Sequence, residues 1–151
     1  MKKISPIQVM VLILILVTAL VAVFHLTTRT AAPEGALRLE FAGGKAVELS
    51  LEKLKLALVQ GTVVNGRGEE REIDAQGILL SEVLREAGVT DFSAVTVVAD
   101  DEYSAQVMAE EIAAPDKVYL IQQEEKGMQL VVFGDENSKR RVSDVVRLLV
   151  Q

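Results

Sequence analysis

Several short clusters in this sequence carry residue types that could do chemistry. Ser50-Leu51-Glu52-Lys53 has the S-x-x-K spacing in which a lysine lowers the cost of deprotonating a serine. The accompanying S-D-N and K-T-G elements are missing, and Ser50 is also the expected cap of a following helix. Gly66-x-Gly68 is half of a phosphate-binding fingerprint, but it joins two short strand-like runs and so reads as a hairpin turn. Asp100-Asp101-Glu102 sets three carboxylates in a row. A calcium loop would need ligands at alternate positions, a glycine at the sixth and a closing glutamate. None of these follows, and the run reads as a solvated turn. Lys139-Arg140-Arg141, after the turn at 134–138, could grip an anion, because arginine pairs bidentately with phosphate or carboxylate. The competing reading is a charged strand start. Tyr103 adds an apolar face and one hydroxyl close to the acidic turn.

Composition removes much of the remaining chemistry. The chain has 151 residues with no cysteine, no tryptophan and one histidine. Without cysteine there is no disulfide framework, no thiol nucleophile and no thiolate-bound metal. His25 is the lone histidine and lies in the apolar N-terminal run, away from any serine–histidine–aspartate arrangement. It reads as a snorkelling imidazole rather than a haem or metal ligand, since no second ligand is visible. Past Arg29 there are 13 basic against 22 acidic residues, a net of −9. Nucleic-acid phosphates and anionic lipid headgroups should repel so acidic a segment, so no nucleic-acid partner is expected.

These clusters must be positioned by the surrounding elements. From Ile7 to Leu26 the chain reads IQVMVLILILVTALVAVFHL. A helix of that length spans about 30 Å, the thickness of a bilayer's hydrocarbon core. Lys2 and Lys3 precede it and only Arg29 closely follows, so the positive-inside rule puts the N-terminus in the cytoplasm. The expectation is a single-pass signal anchor in the cell membrane with the C-terminal domain outside the cytoplasm. A signal peptide cleaved at Ala32 is the alternative. The expected divisions are 1–6 cytoplasmic, 7–26 transmembrane, 27–36 linker and 37–151 extracytoplasmic domain.

Within the domain, LRLEF and AVELS alternate apolar and polar residues around Gly43-Gly44, which predicts a hairpin with a primed turn. Ser50 then predicts a capped helix over LEKLKLALV, followed by Gly61. A second hairpin, TVVN and EEREID, turns at 65–68. Ile78, Leu80, Val83, Leu84 and Ala87 recur at helical spacing until Gly88. Strands are expected at 94–99, 103–107, 118–122, 128–133 and 145–150, with one helical turn at 109–112. Short helices among many strands give an α+β class.

The order of these elements resembles a known family. GILLSEVLREAGV, VTVVADDEYSAQV, EEI, DKVYLIQQEEKG and MQLVVFGDENSKRRVSDVVRLLV together resemble the oxidoreductase molybdopterin-binding domain with the sulfite-oxidase-like fold. The likeness covers about 47–150. The family's D-G-Y-S turn matches Asp101, Glu102, Tyr103 and Ser104, with Glu102 in place of glycine, so a turn without positive φ is expected. The closing R-W-V-K-x-V-like motif matches Arg141, Val142, Ser143, Asp144 and Val145, with Arg141 at the tryptophan. The resemblance implies a mixed β-sheet domain and, for its enzymes, a molybdopterin cofactor held partly by a cysteine thiolate. That thiolate has no counterpart here.

The reading is therefore a non-catalytic domain on this scaffold that binds a small ligand or an envelope protein. Asp101, Tyr103, Arg140 and Arg141 are the candidate ligand contacts, and no catalytic or metal-ligating residue is assigned. The alternative is a molybdopterin-dependent oxidoreductase or redox subunit, with molybdopterin implied by the resemblance alone. A third class is a structural envelope protein.

Overall fold

The computed structural model describes residues 6–28, 35–124 and 127–151. The chain divides into two units, Met1–Ala31 and Ala32–Gln151. The expected linker falls largely outside the described residues, as does the side chain of His25.

The first unit is one helix, α1 (Pro6–Thr28). Its described side chains are exposed, including Met10 at 71% and Leu14 at 69%. Thr18 returns its hydroxyl to the Leu14 carbonyl at 2.6 Å, so the polar side chain among the described ones of this helix is satisfied within it. Among the described residues no helix is long and apolar enough to cross a membrane. This corrects the expected transmembrane span over 7–26.

The second unit is a mixed α+β domain with two sheets and short helices, as the sequence pattern predicts for its class. β1 (Ala36–Phe41) and β2 (Ala46–Ser50) form the first hairpin. Only Gly44 has positive φ, and its N–H donates to the Phe41 carbonyl at 2.9 Å. The loop is therefore a three-residue connection ending in a left-handed glycine, not the expected primed turn. β9 (Val145–Val150) lies parallel to β1 and antiparallel to β5 (Ala94–Ala99). β6 (Ser104–Met108) completes a five-stranded sheet of order β2-β1-β9-β5-β6. The second sheet has order β3-β4-β7-β8, from β3 (Ala57–Val64), β4 (Glu70–Leu79), β7 (Val118–Gln122) and β8 (Met128–Val132).

Alternation along the strands builds two apolar clusters. The larger joins both sheets: Leu37, Leu39, Val95, Val97, Val107 and Leu148 come from the first, and Ile78, Leu120, Leu130 and Val132 from the second. Leu80, Val83 and Leu84 of α2 (Leu80–Glu86) and Ile112 of α3 (Ala109–Ala113) close it. On the other face of β7 and β8, Ile121 and Val131 pack with Val59 and Val63, and Tyr119 meets Phe133 edge-on at 5.7 Å. Gly77 makes the crossing of β4 and β7 feasible, since a Cβ there would stand 2.9 Å from the Leu120 carbonyl oxygen.

Three local expectations are corrected. The helix predicted after Ser50 is a single 3₁₀ turn, Leu51–Lys53, and from Ala57 the chain pairs with β4 residue by residue. Ser50 is extended and makes no capping bond, and Leu58 is 59% exposed rather than in the core. α2 begins at Leu80 because Ile78 and Leu79 are still paired with Leu120 and Tyr119 of β7. Glu102 adopts φ +69°, so the turn keeps its left-handed residue even without glycine.

Candidate functional site

The turn joining β5 to β6 is held by several short bonds. The Ala99 N–H donates to the Tyr103 carbonyl at 2.8 Å, and the Glu102 N–H donates to the Ala99 carbonyl at 3.1 Å. Asp101 Oδ1 accepts the Tyr103 N–H at 3.0 Å, the local bond that lets aspartate replace a backbone turn. Glu102 offsets its left-handed backbone through a 2.7 Å ion pair with Arg147. The Asp100 N–H donates to the carbonyl of Asp144, itself at φ +51°. Two of the three described non-glycine residues with positive φ thus meet at this corner. Left-handed non-glycine residues cost about 1–3 kcal/mol each and cluster where a site over-determines the backbone.

The segment leading into β9 supplies the facing wall. Val142 is fully buried, and its carbonyl accepts the Leu130 N–H at 2.8 Å. Around this pin, Gln129 Nε2 donates to Ser143 Oγ at 2.7 Å, and the Asp144 N–H donates to Gln123 Oε1 at 3.1 Å. The Tyr103 hydroxyl donates to the Lys139 carbonyl, which ties the two walls together. Lys139 therefore contributes a backbone acceptor here.

Two depressions open at this corner. One of about 350 Å³ is lined by Ala99, Asp100, Asp101, Tyr103, Arg141, Ser143 and Asp144. The other, of about 530 Å³, lies between β4, the end of β7 and the same segment, and its lining includes Arg71, Gln123, Gln129, Arg141 and Asp144. Arg141 and Asp144 belong to both. Three of the four residues predicted as ligand contacts, Asp101, Tyr103 and Arg141, share the smaller depression.

Arg140 does not line either of them. Its guanidinium holds Glu111 through two bonds of 2.8 and 2.9 Å, and holds both carboxylate oxygens of Asp135, one at 2.9 Å. Lys117 adds a 3.5 Å contact to Glu111. The hydrogen bonds from Arg140 outweigh partial burial and hold the Glu111 carboxyl down at about 2. Hydrogen bonds that Arg140 donates to Asp135 and then to Glu111 push its guanidinium pKa up. Arg141 has the opposite environment. Burial, then the positive charge of Arg71, lowers its pKa. Among the described residues no carboxylate pairs with it.

Sequence reasoning missed Arg71, Ser143 and Asp144 as site residues. Ser143 Oγ is positioned by an amide, which cannot act as a base, so the hydroxyl is oriented without being activated. The other motifs are absorbed by structure. Asn65 Oδ1 accepts the Arg67 and Glu69 N–H groups at 2.8 and 3.0 Å, and with Gly68 at φ +80° this makes 65–68 a hairpin turn. No group of three or more histidine, cysteine or carboxylate side chains suited to a metal ion occurs among the described residues.

Fold and site together define a small α+β domain with two adjoining polar depressions, each lined by carboxylates as well as by Arg141. Neither any family model nor any curated protein matches this chain.

Proposed function

We propose that this domain binds a small anionic ligand non-covalently in the depression lined by Asp101, Tyr103 and Arg141, on a scaffold of the sulfite-oxidase-like type. The observation that carries the reading is the state of Arg141. A half-buried guanidinium loses hydration, and among the described residues no carboxylate pairs with it in return. A ligand anion supplies the missing acceptors, and Ser143 and the Tyr103 ring offer a hydroxyl and an apolar face beside it.

The donor set does not fit a molybdenum–pterin centre. Such a centre takes a soft thiolate at the metal, whereas the depression presents carboxylates, a serine hydroxyl, a phenol and a guanidinium, and the chain has no cysteine. Hard oxygen donors and a cation leave a soft metal without the ligand it prefers.

Backbone amide NMR of the full chain, titrated with acetate, malonate, sulfate and inorganic phosphate, tests the reading. The expected result is saturable shifts concentrated at 99–104 and 141–145 for at least one anion, abolished in Arg141→Met. Shifts absent for every anion, or scattered over the surface in proportion to ionic strength, would refute it.

A further inference from the structure

The hairpin of β3 and β4 has two faces of different character. Strand alternation puts Val59, Gly61 and Val63 on one of them, with Val59 and Val63 buried in the outer apolar cluster. The Phe133 ring lies over Gly61, where a Cβ would stand 2.5 Å from it. That face is fixed by packing. The opposite face carries Leu58, Gln60 and Thr62, each exposed. Directly across from them on β4 lie Gln76, Asp74 and Glu72, with Glu70 beyond, all exposed as well.

β3 is also the outer strand of its sheet. The hairpin closes with the Asn65 N–H on the Glu69 carbonyl at 2.8 Å. Bonded and non-bonded pairs alternate from there, so the N–H and carbonyl groups of Leu58, Gln60 and Thr62 point away from β4. No main-chain group among the described residues pairs with them. Sheet edges are ordinarily blunted by charge, proline, a bulge or a cover. β2 carries Glu48, within 3.7 Å of Arg38, and the outward Leu130 N–H of β8 is taken by the Val142 carbonyl. β3 reads ALVQGTVV, with no charge and no proline, and its register with β4 runs unbroken from Ala57 to Val64. It is an open template for another strand.

We infer that the β3 edge docks an extended, basic segment of a partner protein as an added strand. Main-chain bonds to Leu58, Gln60 and Thr62 supply affinity, and the acidic row on β4 sets the sequence preference. An added strand lies two strand spacings from β4, about 9–10 Å, a gap that a lysine and a facing carboxylate span together. Thr62 is short and leaves Glu72 open to that reach, whereas Gln60 already bonds Asp74 at 3.3 Å. A second copy of the chain is a poorer occupant. Antiparallel pairing of two β3 edges sets both acidic rows on one face of the joined sheet, with no counter-charge for either.

The test titrates the full chain with a short peptide alternating lysine and valine, with its glutamate counterpart, and with the lysine peptide N-methylated at alternate residues. Fluorescence anisotropy reads binding, and hydrogen exchange by NMR reads the Leu58, Gln60 and Thr62 amides. The lysine peptide should bind saturably and slow exchange at those amides at least about tenfold. The other two peptides should bind at least about tenfold more weakly. Glu72→Gln should weaken the lysine peptide about threefold to tenfold. Thr62→Pro removes an outward N–H without breaking a bond to β4, and should abolish the protection. Because Glu72 is exposed, its variant should melt with the unsubstituted protein, so the test stands even if Thr62→Pro does not fold. No protection by the lysine peptide, or equal binding of either control peptide, would overturn the proposal. So would amides already protected in a dimer seen by sedimentation, which would make the occupant a second copy.

Discussion

Arg140 and Arg141 are neighbours in sequence, carry the same group and begin the same segment, yet they do opposite work. Arg140 reaches back to Glu111 at the start of α3 and to Asp135 in its own turn, and its donors are consumed by two carboxylates. Arg141, one residue on, lines two depressions, and the positive charge of Arg71 acts on it. Val142, the next residue, is fully buried and anchors the segment that carries both. One guanidinium is engaged by carboxylates of the fold, and the other has no carboxylate partner among the described residues. A basic run therefore cannot be read as a unit of function, because each residue's neighbours decide what its charge does.

The largest expected effect is on the stabilising side of that contrast. Arg140→Met leaves Glu111 and Asp135 without their partner, with only 22% and 19% of their side-chain surfaces exposed. The change should cost about 2–4 kcal/mol of unfolding free energy in urea titrations at neutral pH. A loss under about 0.5 kcal/mol, the scale of an ordinary surface change, would show the cluster to be ornamental.

Acid should dissect the same cluster. The Glu111 carboxyl is held at about 2, against 4.5 for a free group, so its ion pair contributes fully above about pH 4.5. That contribution should fade as pH falls through the window toward 2. With about a fifth to a third of each side chain facing solvent, screening keeps the expected loss near 1–2 kcal/mol. Denaturation midpoints from pH 6 down to 2.5 should fall more steeply for the unsubstituted protein than for Arg140→Met. Parallel curves would assign the acid sensitivity elsewhere.

How much of this was legible in the sequence depends on the range of the forces involved. Strands β1, β2 and β5 to β9 announce themselves through alternation or β-branched runs, and all lie close to where the pattern puts them. The stretch from Leu51 to Val59 misleads because Leu51, Leu54 and Leu58 repeat at helical spacing. Pairing of Ala57–Val64 with β4 outweighs that pattern, and Leu58 goes to solvent. Tyr103 and Arg141 carry their chemistry on their faces and line one depression. Arg71 could not be found, because it is 70 residues from Arg141 and only the register of β4 brings it there. The left-handed conformation of Glu102 was hidden for the same reason, since the Arg147 partner that offsets it lies 45 residues away. The apolar run at the N-terminus shows the opposite limit: composition alone suggested a span, and the described helix does not provide one.

The wall that joins the two depressions can be probed through Tyr103. Tyr103→Phe removes the bond to the Lys139 carbonyl. This should cost about 1 kcal/mol and accelerate hydrogen exchange in the segment before β9, with α3 unaffected. Unchanged exchange there would mean that the hydroxyl does not tie the walls. Glu102→Gly should have the smallest effect, within about 0.5 kcal/mol of neutral. Relief of the left-handed backbone offsets loss of a solvent-facing ion pair. A cost well beyond that in thermal melts would make the Arg147 contact a principal support of the turn.

The most direct test of the contrast between the two arginines is the unfolding free energy of Arg141→Met in buffer free of divalent anions. A guanidinium that is partly desolvated, has Arg71 acting against it and has no carboxylate partner among the described residues should add little to the stability of the fold. The substitution should therefore be neutral or stabilising by up to about 1 kcal/mol, in opposition to Arg140→Met. A loss of more than about 1 kcal/mol would mean that Arg141, like its neighbour, is held by the fold, and would contradict its assignment as a ligand contact.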